Sequence, residues 1–278
     1  MTQSSNPLQN HFRRPVIYYK LPSQGRFWAE NAVELTVTGE LPVLPMTTKD
    51  EITIRTPDAL LNGQGVVDVI ASCVPNIKDP WQMPSVDVDA TLIAIRIASY
   101  SNMMDVDTKC PHCGEENSYS VDLNNILSAI SMPDYDSTLN VDNLTIKFKP
   151  QPYYNVNKAN LVQFEEQKLL STISDRSLSD EEKSSIFSAQ LSRVAELNTQ
   201  IYVNSTESIT TEDGIVVTDR NFIEEFYRNV SREIGNAVKI SLENFSETAK
   251  IKPVDVTCGE CHKSFKVNIT FDHSNFFD

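Results

Sequence analysis

Glycine, histidine and basic residues are scarce in this chain, and long apolar runs are missing. There are 8 glycines among 278 residues, which excludes a collagen-like or glycine-rich low-complexity chain. With 40% apolar and 22% charged residues the composition is globular, and the length suffices to bury one large core or two moderate ones. No segment approaches the ~20 consecutive apolar residues that span a bilayer, so no membrane helix is predicted. The start, Met1-Thr2-Gln3-Ser4-Ser5-Asn6, lacks the basic-then-apolar pattern of a secretory signal. The expectation is a chain that folds in a cytoplasm, where cysteines stay reduced.

The shortage of positive charge excludes a second class. Lys and Arg total 24 against 38 Asp and Glu, a formal charge of −14. An acidic surface repels phosphate backbones, so nucleic-acid binding is disfavoured without a segregated basic patch. None is evident: Glu115 and Glu116 lie in one cysteine-containing stretch, and Lys263 and Lys266 in the other stand beside Glu260. Catalytic signatures are missing as well. There is no Gly-x-Ser-x-Gly elbow, no His-Glu-x-x-His pair and no calcium loop, and Gly63 and Gly65 lack the Gly-Lys-Ser/Thr end or the third glycine of a nucleotide cradle. The acidic pairs Asp87/Asp89 and Asp105/Asp107 read as solvated surface on a chain so rich in carboxylates. The chain is therefore not expected to be an enzyme, and no small-molecule substrate is expected.

Only five cysteines occur, and four form two Cys-x-x-Cys turns: Cys110-Pro111-His112-Cys113 and Cys258-Gly259-Glu260-Cys261. Each turn presents two thiolates from one tight bend, so together they supply the four sulfurs of a structural Zn2+ with no open coordination position. Alternating residues follow each pair: Tyr119 to Leu123 after the first, and Phe265, Val267, Ile269 and Phe271 after the second, the pattern of half-buried strands. Two zinc-ribbon knuckles are predicted to pair into one ribbon. The intervening residues 114 to 257 greatly exceed the usual ~15–20, so a domain is read as inserted into the ribbon. A thioredoxin-like redox motif expects one such pair in a strand–helix context. Two separate sites using His112 or His262, or a disulfide, remain open as alternatives. Cys73 sits in an apolar run as a core thiol. His11 and His273 stand alone.

Along the chain, residues 1–14 read as a loose arm. Residues 15–109 form a β-rich and helical part: a strand at Pro15 to Leu21, a Pro22-Ser23-Gln24-Gly25 turn with an aromatic return, and a second strand at Val33, Leu35 and Val37 turned by Gly39. A helix starts near Pro57, Gly63 and Gly65 break it, and Val66 to Val74 follows as a buried helix. A further buried helix spans Asp87 to Tyr100, with Arg96 expected to find an anionic partner. Residues 110–123 and 254–272 make the split ribbon, and 124–253 a mainly helical insert. In that insert, Ser179 to Glu182 reads as a capping box, Asn204 to Glu212 as a Ser/Thr-rich loop, and Asp219 to Thr248 as a helix broken near Ser231 or Gly235. The predicted class is α+β: a β-rich N-terminal part, a helical centre, and a zinc ribbon from two distant hairpins.

Several motifs in one order carry a resemblance: Leu21-Pro22-Ser23-Gln24-Gly25-Arg26-Phe27, Leu44 to Glu51, Arg55-Thr56-Pro57-Asp58-Ala59-Leu60-Leu61-Asn62-Gly63, Ile95 to Tyr100, and Cys110-Pro111-His112-Cys113-Gly114. In these the chain resembles the baseplate hub protein family of T-even-like contractile-tailed bacteriophages, over roughly the first 130 residues and less distinctly beyond. The resemblance implies a structural or assembly component of the tail baseplate hub, in contact with other tail and baseplate hub proteins. It implies a place in the virion tail and, during assembly, in the host cytoplasm. An assembly chaperone absent from the mature virion is the alternative, and a zinc-ribbon nucleic-acid binder is less favoured.

Overall fold

The computed structural model describes residues 6–56, 63–173, 180–269 and Phe277. Two compact units divide the chain. Unit 1 comprises Met1–Pro80, Asp87–Ser131 and Ile251–Asp278; unit 2 comprises Trp81–Val86 and Met132–Lys250. The architecture is α+β, with small antiparallel sheets among helices.

In unit 1, β1 (Ile17–Lys20) pairs antiparallel with β2 (Glu40–Val43), Tyr19 opposite Leu41. Tyr19, Leu41 and Val43 point inward. They meet α2 (Gln64–Cys73) and α3 (Ser85–Ser99), which bury Val66, Val69, Ile70, Leu92, Ile93 and Ile95. α3 reads as a nearly continuous apolar run because almost no face remains solvated, whereas α2 keeps Gln64, Asp68 and Ala71 exposed along one face. α1 (Thr48–Ile54) begins at a capping box: Thr47 Oγ1 accepts the Asp50 N–H, and Asp50 Oδ2 accepts the Thr47 N–H. Gly63, at φ +74°, is the residue before α2, while Gly65, read as part of the same break, lies inside the helix. The helix expected from Pro57 falls outside the described residues.

Two predicted strands are absent. The aromatic return after Gly25 is a series of turns, because Gln24, Gly25 and Phe27 take φ of +54°, +83° and +68°. Backbone and side-chain donors of these turns converge on one carboxylate. Asp87 accepts the Ser23 N–H at 2.8 Å, the Ser23 hydroxyl at 2.5 Å and the Trp28 indole N–H at 2.9 Å. Of Val33, Leu35 and Val37, Val33 alone makes a bridge, to Ile77, and Val37 stays fully exposed. The strand partner of β1 comes after Gly39 instead, whose φ of +73° makes the turn.

Near the end of the segment read as an arm, Arg13 is tied to the body of unit 1. Its guanidinium donates to Pro45 O, Asp50 Oδ2, and both the carbonyl and hydroxyl oxygens of Ser72. Desolvation opposes the Asp50 charge, but hydrogen bonds from Thr47 and Ser72 and the Arg13 cation outweigh it and lower its pKa. Cys73 is buried beside them, and desolvation foremost pushes its thiol up to about 12. It is a core thiol, as predicted.

Unit 2 is built on a sheet in the order β5 (Thr138–Val141), β6 (Leu144–Phe148), β7 (Thr206–Thr210), β8 (Val216–Val217), all antiparallel. The strand β7 falls where a loop was predicted. Its polar side chains disguise it: Thr206 is buried, and Ile209 pairs with Ile146 in the core. Thr206 Oγ1 lies 2.7 Å from the Tyr227 hydroxyl and donates to Tyr202 O, so the polar groups are satisfied inside. After α4 (Leu123–Ala129) of unit 1, helices α5 (Tyr153–Ile173) and α6 (Asp180–Ser205) follow in the chain, and α6 leads directly into β7. The capping box predicted to open α6 starts at Ser179, outside the described residues. The helices α7 (Arg220–Asn229) and α8 (Arg232–Ala249) divide at Ser231, which caps α8, while Gly235 lies within it. Phe245 of α8 stacks on Tyr135 at 4.8 Å and packs edgewise on Phe148.

Candidate metal centre

The two Cys-x-x-Cys turns are the same device made twice. β3 (Met103–Lys109) and β4 (Glu116–Asp122) flank residues 110–115; β9 (Val254–Thr257) and β10 (Ser264–Val267) flank residues 258–263. In the first knuckle the Cys110 N–H donates to Glu115 O at 2.8 Å and the Gly114 N–H to Cys110 O at 2.9 Å. In the second the Cys258 N–H donates to Lys263 O at 3.1 Å and the His262 N–H to Cys258 O at 3.1 Å. The residue after the second cysteine needs a left-handed backbone in both turns: Gly114 has φ +78° and His262 φ +56°. His262 is therefore a turn residue. Like His112, it is not among the four residues that converge.

Those four are Cys110, Cys113, Cys258 and Cys261, whose ligand atoms all lie within 4.8 Å of one another. The Cys110 and Cys261 sulfurs are 3.7 Å apart, as are those of Cys113 and Cys258. A disulfide needs ~2.05 Å, so these are free thiols, and the cysteines form one group rather than two. The donor set could hold a metal ion. The two hairpins come together as predicted, each remaining its own two-stranded sheet. Side chains of β4 bridge them. Asn117 accepts the Gly259 N–H at 3.2 Å and donates to the Cys258 sulfur at 3.6 Å. Tyr119 donates to Thr257 O at 3.2 Å, and its ring meets Phe265 edgewise at 6.0 Å.

Electrostatics within the group are uneven. Backbone N–H groups of Cys261 and Glu260 offset desolvation and hold the Cys258 thiol down at about 6, a thiolate at neutral pH. At Cys113 the Glu115 amide favours the anion, but desolvation and the three other sulfurs push it up to about 12. Four thiolates this close repel one another without a cation between them. A dication would supply the missing charge.

Asp87 was missed as a site because paired aspartates on an acidic chain read as surface. It is fully buried, and desolvation raises its pKa to about 6 against the bonds from Ser23 and Trp28. A signal was present: Asp87, Thr91 and Ile95 share one face of α3, a buried one. Arg96 on the same helix lies with its guanidinium 5.5 Å from the Tyr100 ring centroid, so a cation–π contact is among its partners.

The fold and the site define a class, an α+β protein with a candidate four-cysteine metal centre. Comparison by family specifies the class. The description "T4 bacteriophage base plate protein" matches residues 18–278, and the chain belongs to that family. No curated protein and no solved structure gives a significant match. The protein is thus a phage baseplate component with a structural or assembly role, and its expected partners are other tail proteins. No helix among the described residues is long and apolar enough to cross a membrane.

Proposed function

We propose that this chain is a component of the baseplate hub, acting through protein–protein contacts on a scaffold stapled by one structural Zn2+ on Cys110, Cys113, Cys258 and Cys261. The observation that carries the zinc reading is the sulfur geometry. A tetrahedral ion with ~2.3 Å Zn–S bonds spaces its ligands by about 3.8 Å; two sulfur pairs stand at 3.7 Å and all lie within 4.8 Å. Four protein ligands leave no position for water or substrate, so the ion would hold structure and not activate a nucleophile. On this reading residues 110–123 and 254–272 are a split ribbon, 124–253 is an insert within it, 15–109 is the N-terminal part, and 1–14 is an arm.

The hub assignment rests on the resemblance of the Leu21–Phe27, Leu44–Glu51 and Ile95–Tyr100 segments, within a chain that belongs to the baseplate family. Assembly in the host cytoplasm, where thiols remain reduced, suits the cysteine centre. Quantitative mass spectrometry of purified particles tests the reading. A hub subunit is found in constant ratio to other baseplate proteins. Absence from particles, with tails failing to assemble when the chain is missing, would identify an assembly chaperone instead.

A further inference from the structure

A cleft of about 420 Å³ opens within unit 2, lined by α5, α6, the first residue of α7 and Gln151 of the β6–α5 connection. At its wall Asn204, in the last turn of α6, is 9% exposed, and its Oδ1 has no hydrogen-bond partner. An unpaired buried acceptor costs about 1–3 kcal/mol. The group is therefore poised for a donor from outside the chain.

The charges around it are unequal. Arg193 is paired with Glu165 at 2.9 Å, and Glu196 with Arg228 at 2.7 Å, so these lining charges are answered by the protein. Lys158 and Arg220 also line the cleft, are exposed, and make no ion pair among the described residues. On a chain of charge −14 this is a local cationic site facing an orphaned acceptor. A water molecule could satisfy Asn204 but would leave both cations unmatched. A simple anion would engage the cations and bring no N–H donor to Asn204.

Extended polypeptide offers both groups at short spacing. We propose that the cleft docks an acidic, extended segment of a neighbouring tail protein, one backbone N–H donating to Asn204 Oδ1 while an Asp or Glu side chain pairs with Lys158 and Arg220. The cleft lies in the volume range of sites that enclose small ligands and suits a short stretch of chain better than a folded surface. Only the source of the segment rests on the baseplate reading; the recognition chemistry stands on the cleft.

The test uses the full-length, nitrogen-15-labelled protein titrated with a short capped peptide of alternating Asp and Gly, with the Asn-for-Asp peptide and inorganic phosphate as comparisons. Saturable shifts of the Asn204 side-chain amide and of the Lys158 and Arg220 backbone amides are expected from the acidic peptide. Binding should weaken at least tenfold in the Lys158→Gln/Arg220→Gln variant, whose melting stays unchanged because both residues are exposed. No shift up to millimolar peptide, shifts elsewhere in the chain, equal binding of the neutral peptide, or the same shifts from phosphate would each overturn the proposal. None of these results bears on whether the protein is a hub subunit, which particle composition decides.

Discussion

Asp87 is the residue on which the N-terminal turns converge, and its ionisation has a measurable signature. Burial raises its pKa from 3.8 to about 6, so the folded chain holds that proton more tightly than the unfolded one. A raised carboxyl pKa means that this stability contribution is complete below pH ~4 and is lost as pH rises to about 6. The loss is on the order of 3 kcal/mol. Asp87→Asn does not titrate, and its Nδ2 would face the Ser23 hydroxyl and the Trp28 indole without accepting from them, costing about 1–3 kcal/mol per group. Urea denaturation of both proteins from pH 4 to 7 should show the wild-type advantage shrinking across that window. Taking the difference cancels Asp50, which works in the opposite direction: its lowered pKa gives stability that disappears as pH falls. A pH-independent difference would show that Asp87 does not titrate there. Gly25 is the second sensitive residue. Its φ is +83°, and an added Cβ would collide with Leu35 Cδ1. Leu35 can move, but a β-branched residue at positive φ remains strained, so Gly25→Val should cost ~2 kcal/mol and lower the melting temperature by about 4–8 °C. Unchanged melting would place Gly25 in another conformation.

At the scale of elements, the two knuckle hairpins depend on each other. Neither β3–β4 nor β9–β10 is stable by itself as an isolated two-stranded sheet, and their cross-links are Asn117, Tyr119 and the sulfurs. Cys258→Ser removes one sulfur and the acceptor of the Asn117 amide. Hydrogen exchange should then accelerate at Val254–Thr257 and Ser264–Val267 while the β1–β2 amides keep their protection. Equal protection in the variant would mean that Asn117, Tyr119 and Phe265 hold the hairpins unaided. The misread element, β7, teaches the same lesson from the other side. Thr206, Ser208 and Thr210 look like loop residues, yet threonine is β-branched and fits a pleated sheet once its hydroxyl is satisfied. In this case Tyr227 and Tyr202 O satisfy it.

For the whole molecule, the four-cysteine centre brings together distant parts of the chain. A clip between Cys113 and Cys258 closes a loop of more than 140 residues, and because each doubling of such a loop adds only about 0.6 kcal/mol, most of the constraint comes from having the clip at all. Elemental analysis of purified protein should find one zinc per chain; two or none would contradict a single closed centre. Infection complemented with the Cys258→Ser protein should yield fewer assembled tails by electron microscopy. Normal tails in normal number would make the centre dispensable for assembly.

The sequence by itself determined the four cysteines that converge, the buried helices α2 and α3, and the class of the fold. Ligand type and Cys-x-x-Cys spacing are local facts, and an apolar run in a charged chain has only one place to go. It also carried the family, through motifs set in one order. The tertiary structure decided which strand β1 pairs with, because the segment around Gly25 is held in turns, with Ser23 and Trp28 bonded to Asp87, 59 to 64 residues away in sequence. It decided that β7 is a strand, since the hydroxyl partner of Thr206 comes from Tyr227, 21 residues later. It decided as well that the hairpins meet through sulfurs and side chains and not through a shared ladder. Each of these is a choice of hydrogen-bond partner between remote residues, and periodicity along a chain contains no term for it.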